Sequence, residues 1–310
     1  MISADDVRAA RETIGPDLHR TPVFSSATLG PRVFLKAELF QRTGSFKPRG
    51  VLNKLRSLTP AERARGVIAA SAGNHAQALA YCARLEGIDA LVVMWSTASP
   101  AKIEATRAYG AAIDLEAPGP ETVFERLSEL QRETGRTLVH PFDDPLVVAG
   151  QGTVGLEIAE DVPELDVVVV PVGGGGLLAG IATALPDTRV VGVEPATSNA
   201  LTAGLAAGAP TPVTPRSIAD GLNAPFAGAL PIRVATERRL EVVLVEEREI
   251  EDGMRFLYGR AKLACEPAGA AGIAALLAGR LPLESPETVV AVVSGGNVSA
   301  ETAAAILAGP

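Results

Sequence analysis

Val167-Val168-Val169-Val170-Pro171-Val172-Gly173-Gly174-Gly175-Gly176-Leu177 is the stretch on which the fold turns. Four consecutive valines fit a strand buried on both faces, because a strand with one wet face alternates apolar and polar side chains. The glycines that follow mark a turn, and the apolar run from Leu177 onward opens a helix. Residues 167–186 carry no charge over twenty positions and are long enough to cross a bilayer, yet the glycine run and Pro171 interrupt them. A strand, a glycine turn and a helix in a soluble parallel sheet account for the segment better than a membrane span does.

Outward from this stretch the same alternation repeats. Short apolar runs at 33–36, 67–70, 90–94, 112–115, 137–139, 190–193, 242–245 and 289–293 are strand candidates. Helical stretches at 74–86, 100–109, 121–134, 146–159 and 247–263 separate most of them, which predicts βαβ units, mainly parallel sheets and the α/β class. Ser3 with Asp6 reads as a helix start and Gly15-Pro16 as its stop. Residues 202–215, rich in Ala, Gly, Pro and Thr, read as a loop, and 268–279 as an alanine-rich helix.

Bulk properties narrow the function. At 310 residues the chain has room for about two domains with a cleft between them. A formal charge of −8 argues against nucleic acid or an anionic membrane as partner. Cys82 and Cys265 sit in no metal-ligand spacing and make no disulfide framework, so a reducing cytoplasm is the expected setting. The first eleven residues lack the apolar core of a signal peptide.

Ligands in such sheets collect at the carboxyl ends of strands, and four ends carry unusual residues. Gly173-Gly174-Gly175-Gly176-Leu177 opens a helix, where bare backbone and unpaired N–H groups suit a phosphate; a tightly packed turn is the plain alternative. Thr43-Gly44-Ser45-Phe46-Lys47-Pro48-Arg49-Gly50 sets a lysine among small residues before a helix. A lone lysine is usually a solvated charge, but one in an apolar pocket loses its proton readily and can form a Schiff base. Ser71-Ala72-Gly73-Asn74-His75 begins another helix and suits a carboxylate or ring hydroxyl, with simple N-capping as the alternative. Ser294-Gly295-Gly296-Asn297 closes the strand at 289–293 and alone is only a turn. A rival is also present: Gly174-x-Gly176-x-x-Ala179, with Glu194 twenty residues after Gly174, satisfies a dinucleotide fingerprint and would imply an NAD(P)-dependent oxidoreductase.

Together and in this order, the four motifs resemble those of the threonine dehydratase and serine racemase group of pyridoxal-phosphate enzymes, the fold-type-II family that includes tryptophan synthase β chains. Residues 101–106, 140–145 and 266–269 resemble the group as well, so the likeness runs over almost the whole chain. It implies an α/β, tryptophan synthase β-like fold with residues 1–65 and 144–310 in a large cofactor domain and 66–143 in a small one. It implies pyridoxal 5'-phosphate as cofactor, with Lys47 as Schiff-base lysine and base at Cα. Gly173, Gly174, Gly175, Gly176 and Leu177 would hold the phosphate, Phe46 would pack near the ring, Asn74 would meet the ring hydroxyl and Ser294 the pyridine nitrogen. A neutral hydroxyl there makes a weaker electron sink than a carboxylate and suits prompt loss of a β-substituent. Ser71, Ala72, Gly73, Asn74 and His75 would grip the substrate carboxylate, with Glu266 near the substrate side chain.

The implied reaction is β-elimination from a small hydroxy amino acid, L-threonine or L-serine, giving a 2-oxo acid and ammonia. Serine racemase and hydroxyaspartate or phenylserine dehydratases are the neighbouring alternatives, and an amino-acid sensor that keeps the pocket is the non-catalytic one. Similar racemases carry a second serine where this chain has Ala72, so little racemisation is expected. A racemase-like metal site would use Glu194, the Ser198 carbonyl and an acid at position 200, where this chain has Ala200, so no metal is expected. A homodimer or higher homo-oligomer is expected, without an appended regulatory domain or feedback by isoleucine.

Overall fold

The computed structural model describes residues 1–119, 122–283 and 286–309. Its strands are β1 (Val23–Ser25), β2 (Val33–Ala37), β3 (Val67–Ala70), β4 (Ala90–Trp95), β5 (Ala112–Ala117), β6 (Thr137–Leu138), β7 (Val167–Pro171), β8 (Arg189–Pro195), β9 (Glu241–Val245) and β10 (Val289–Val293). They form a six-stranded sheet, ordered β1-β2-β10-β7-β8-β9, and a four-stranded sheet, ordered β5-β4-β3-β6. Every pairing is parallel except β1 with β2. The α/β, mainly parallel architecture is as the sequence predicts.

Hydrophobicity sets the strand order. The valine runs of β7 and β10 are buried at every position and lie side by side at the centre of the larger sheet. β1, β5 and β9 keep exposed or half-buried positions and form edges. Crossover helices cover the faces. Lys47–Arg56, Pro145–Asp161 and Gly176–Ala184 pack in sequence, and their contact is close because glycines face one another: a Cβ on Gly180 would lie 2.6 Å from Gly152 N, and one on Gly150 2.8 Å from Gly50 Cα.

Local signals account for several helix ends. Ser3 and Asp6 form a reciprocal capping box for Ala4–Ile14, and Gly15 ends that helix with φ +58°. The stretch read at 247–263 is an α-helix to Phe256 that continues as a π turn, Leu257–Ala261, and stops at Lys262 in the left-handed region. The helix read from Glu121 runs over Val123–Thr134, and Glu121 itself lies outside the described residues. The loop read at 202–215 needs correction, because Ala200–Ala207 is helical. Its first turn is held by a distant carboxylate: Glu194 accepts from Leu201 N at 2.7 Å and Thr202 N at 2.9 Å. The uncharged segment 167–186 divides into β7, the glycine turn and Gly176–Ala184, and among the described residues no helix is long and apolar enough to cross a membrane.

Candidate active site

A cavity of about 690 Å³ opens where the carboxyl ends of β7 and β10 face those of β3 and β4. Lys47, the glycine run 173–176, the turn 71–75, Glu266 and Ser294 all line it, so four motifs far apart in sequence meet in one place.

Lys47 begins the helix Lys47–Arg56, with Pro48 fixing the first turn. Its Nζ donates to the Pro141 carbonyl at 2.9 Å and lies 5.0 Å from the centre of the Phe46 ring. Among the described residues no carboxylate pairs with it directly. Burial lowers its pKa to about 8, against the opposing influence of Glu266. The amine therefore gives up its proton more readily than an ordinary lysine, as a nucleophile must.

The glycine run faces Lys47 from the larger sheet. A Cβ on Gly174 would sit 2.2 Å from the Phe142 ring, and Gly175 has φ +89°, so both positions exclude side chains. The first bond within the following helix is Ala179 N–H to Gly175 O at 3.0 Å, which leaves the Gly176 and Leu177 N–H groups without helical partners. N–H groups at a helix start, approached over a run of glycines that carry no side chains, form an anion cradle.

The turn 71–75 begins Asn74–Glu86 with Gly73 as N-cap. No side chain caps this helix, so the plain reading of Ser71 or Asn74 as N-cap does not hold. Ser71 Oγ instead accepts from Gly73 N at 3.2 Å. The first helical bond is Gln77 N–H to Gly73 O at 3.3 Å, and the N–H groups before it can receive an anion. His75 turns its ring inward: Nε2 is 2.8 Å from Val139 O, and burial lowers its pKa to about 3, so the ring is neutral. Its backbone remains at the helix start, while the ring serves the fold.

Asn74 lies between two partners. Its Nδ2 donates to Glu266 Oε1 at 2.7 Å, and its Oδ1 accepts from Asn297 Nδ2 at 2.8 Å. Glu266 is buried, and burial followed by the charge of Asp220 raises its pKa to about 8. Ser294, at the end of β10, is buried against the cavity, and its hydroxyl has no hydrogen-bond partner among the described residues.

Sequence motifs alone passed over several cavity residues. Lys102 and Asp220 form an ion pair across the opening, Trp95 and Phe124 line the wall, and Phe142 buttresses Gly174. The rival fingerprint loses its acid: Glu194 is fully buried, and Leu201 and Thr202 engage both of its oxygens, leaving none directed at a ribose.

These residues fit pyridoxal phosphate. The amine, the side-chain-free cradle and the unpartnered Ser294 hydroxyl supply a carbonyl nucleophile, a phosphate site and a ring-nitrogen partner within one cavity. The model of a family described as pyridoxal-phosphate dependent enzyme matches residues 14–295. The chain is 42% identical over 307 residues to an L-threonine ammonia-lyase of Thermotoga maritima, covering 96% of this chain and 76% of that one. It is 43% identical over 310 residues to a catabolic L-threonine dehydratase of Staphylococcus aureus, covering 96% and 90%. Among solved structures it is similar to maize serine racemase, with TM-score 0.92 and 37% identity over 97% of this chain and 95% of that one.

Proposed function

Since the chain belongs to the pyridoxal-phosphate dependent enzyme family, we propose that it is an L-threonine and L-serine ammonia-lyase, releasing a 2-oxo acid and ammonia. The observation that carries this is Lys47: an amine with a lowered pKa and one neutral partner, in the same cavity as the glycine cradle.

The bound cofactor supplies the electron sink that makes loss of the Cα proton feasible. The chain's residues supply the rest. Gly173 to Leu177 would hold the phosphate by backbone N–H groups, Phe46 packs beside Lys47, and Ser294 would meet the ring nitrogen without adding charge. The N–H groups at the start of Asn74–Glu86 receive the substrate carboxylate and so fix the substrate's orientation. The Lys47 amine would take the substrate's Cα proton, a task that its burial-lowered pKa suits. Ala72 has no proton to offer, which favours elimination over racemisation.

In this proposal residues 66–143, which contain the whole four-stranded sheet, form the small domain, and 1–65 with 144–310 form the large cofactor domain. Closure brings the 71–75 turn onto the substrate and excludes water. The enzyme works in the cytoplasm as a homodimer; buried, unpaired Cys82 and Cys265 suit that compartment.

The test is the visible spectrum of purified protein before and after borohydride, with mass analysis of the Lys47 peptide, followed by assay of 2-oxo acid release from L-threonine and L-serine. A reducible band and a pyridoxyl adduct on Lys47, with turnover of either amino acid, are expected. Adduct without turnover would remove the lyase assignment.

A further inference from the structure

Asn74, Glu266 and Asn297 come from three separate segments: the start of Asn74–Glu86, the residue before Pro267–Leu277, and the turn after β10. Their hydrogen bonds have a direction that can be worked out from the backbone. Asn297 Nδ2 donates to the Thr43 carbonyl at 2.7 Å, and a backbone carbonyl can only accept. Turning the Asn297 amide over would set oxygen against oxygen. The same nitrogen donates to Asn74 Oδ1 at 2.8 Å, so the accepting end of Asn74 is fixed and its Nδ2 lies on the other side. There one N–H goes to Glu266 Oε1 at 2.7 Å. A carboxamide nitrogen has two N–H groups, and the second has no partner among the described residues, although Asn74 lines the cavity.

Glycines leave room for this chain of bonds. A Cβ on Gly44 would lie 2.6 Å from Asn297 Oδ1, and one on Gly295 2.4 Å from Glu266 Oε1 and 3.2 Å from Asn74 Nδ2.

We infer that Asn297 and Glu266 are positioning residues that fix Asn74 with a donor, rather than an acceptor, available to the cofactor's ring oxygen. The inference rests on the proposal that pyridoxal phosphate occupies the cavity with Asn74 at its ring hydroxyl. A donor stabilises the oxygen as an anion and lowers its pKa; an acceptor there would do the opposite. The polarity of the site is thus set by Thr43 O, two hydrogen bonds away.

The experiment measures the cofactor dissociation constant and the pH midpoint of the visible band in wild type, Asn297→Asp, Asn74→Ala and the double variant. Aspartate matches asparagine in size but cannot donate from its carboxylate. Asn297→Asp is expected to weaken cofactor binding about tenfold and to raise the midpoint. In the Asn74→Ala background it should change neither, because it acts through Asn74. If Asn297→Asp does not fold, Glu266→Leu serves instead, and Glu266→Gln should recover most of the lost affinity because its oxygen still accepts. Wild-type binding and midpoint in Asn297→Asp would overturn the inference, as would effects that add fully to those of Asn74→Ala, the mark of a merely structural tie. A missing Lys47 adduct in wild type overturns the cofactor proposal itself, which separates the two failures.

Discussion

Lys47 and Gln151 share one acceptor: the Pro141 carbonyl receives Lys47 Nζ at 2.9 Å and Gln151 Nε2 at 3.2 Å. In the proposed holoenzyme, where the Lys47 amine would go to the cofactor, Gln151 would be the remaining donor to that carbonyl among the described residues. Gln151→Leu removes this second donor, so Lys47 would leave behind an unpaired oxygen at a cost of about 1–3 kcal/mol. The variant should fold, since Gln151 Oε1 has no hydrogen-bond partner among the described residues to lose. Its affinity for pyridoxal phosphate should fall about tenfold, measured by visible titration of the apoprotein. Unchanged affinity would mean that the carbonyl finds another donor.

The lowered pKa of Lys47 has a kinetic consequence. With a value of about 8, the neutral fraction rises about tenfold between pH 7 and pH 9 and then levels. Stopped-flow absorbance after mixing apoprotein with pyridoxal phosphate should show attachment following that curve. A rate still climbing beyond pH 10 would show an amine solvated like an ordinary lysine.

Glu266 ties stability to pH in the opposite sense from a salt-bridged carboxylate. Its pKa is raised from 4.5 to about 8, by burial first and Asp220 second. The folded state therefore binds this proton more tightly than the unfolded state. Its contribution is complete below about pH 4.5 and is lost as pH rises through about 8. The apoprotein's melting temperature should fall more across that window in wild type than in Glu266→Gln, which stays neutral. Asp220→Asn should bring the loss to lower pH, because removing a neighbouring negative charge lowers a raised carboxyl pKa. Equal slopes in all three would exclude Glu266 as the group responsible.

Ala72 gives a prediction about reaction outcome. Ala72→Ser adds a hydroxyl to the turn 71–75 at the position where the resemblance to racemases implies a second serine. D-Serine formation from L-serine, followed by chiral chromatography, should be slight in wild type and rise at least about tenfold in the variant. Rapid racemisation by the wild type would show that another group protonates Cα from that face.

How much could be read from sequence depended on the range of the interactions involved. β7 and β10 were legible because central parallel strands must be apolar on both faces, and their valine runs say so directly. β1 was not, since its three residues are half-buried or exposed and carry no period. Ala200–Ala207 is hidden in the sequence because alanine, glycine and threonine look like turn composition, while the capping group, Glu194, lies in the preceding strand. The site divides in the same way. Lys47, the glycine run and the 71–75 turn announce themselves locally. The Asn297–Asn74 bond, the Lys102–Asp220 pair and the Gln151–Pro141 contact join distant segments, and no local pattern encodes them.

Arg49 carries the last prediction. It lies two residues beyond Lys47 on the same helix, is buried, and bridges two acids. Nε and Nη2 reach Glu38 at 2.8 and 2.9 Å, while Nη1 and Nη2 reach Glu157 at 2.7 and 2.9 Å. Glu157 also accepts from the fully buried Lys36 at 2.6 Å, so two cations offset two carboxylates. Burial alone would raise the Glu157 pKa, but Arg49 and Lys36 outweigh it and hold the carboxyl below its usual range. Arg49→Met keeps the apolar stem and leaves Glu38 and Glu157 with Lys36 as the remaining cation. Breaking a buried pair from one side costs about 3–5 kcal/mol. Arg49→Lys restores the charge without the two-pronged fork and should recover only part of that loss. Urea denaturation of the apoproteins, with equal slopes required for comparison, measures both. Because the cluster anchors the helix that begins at Lys47, cofactor attachment should weaken in Arg49→Met even in the absence of denaturant. A stable Arg49→Met that attaches cofactor normally would show that apolar packing, not this ion cluster, sets the position of the lysine.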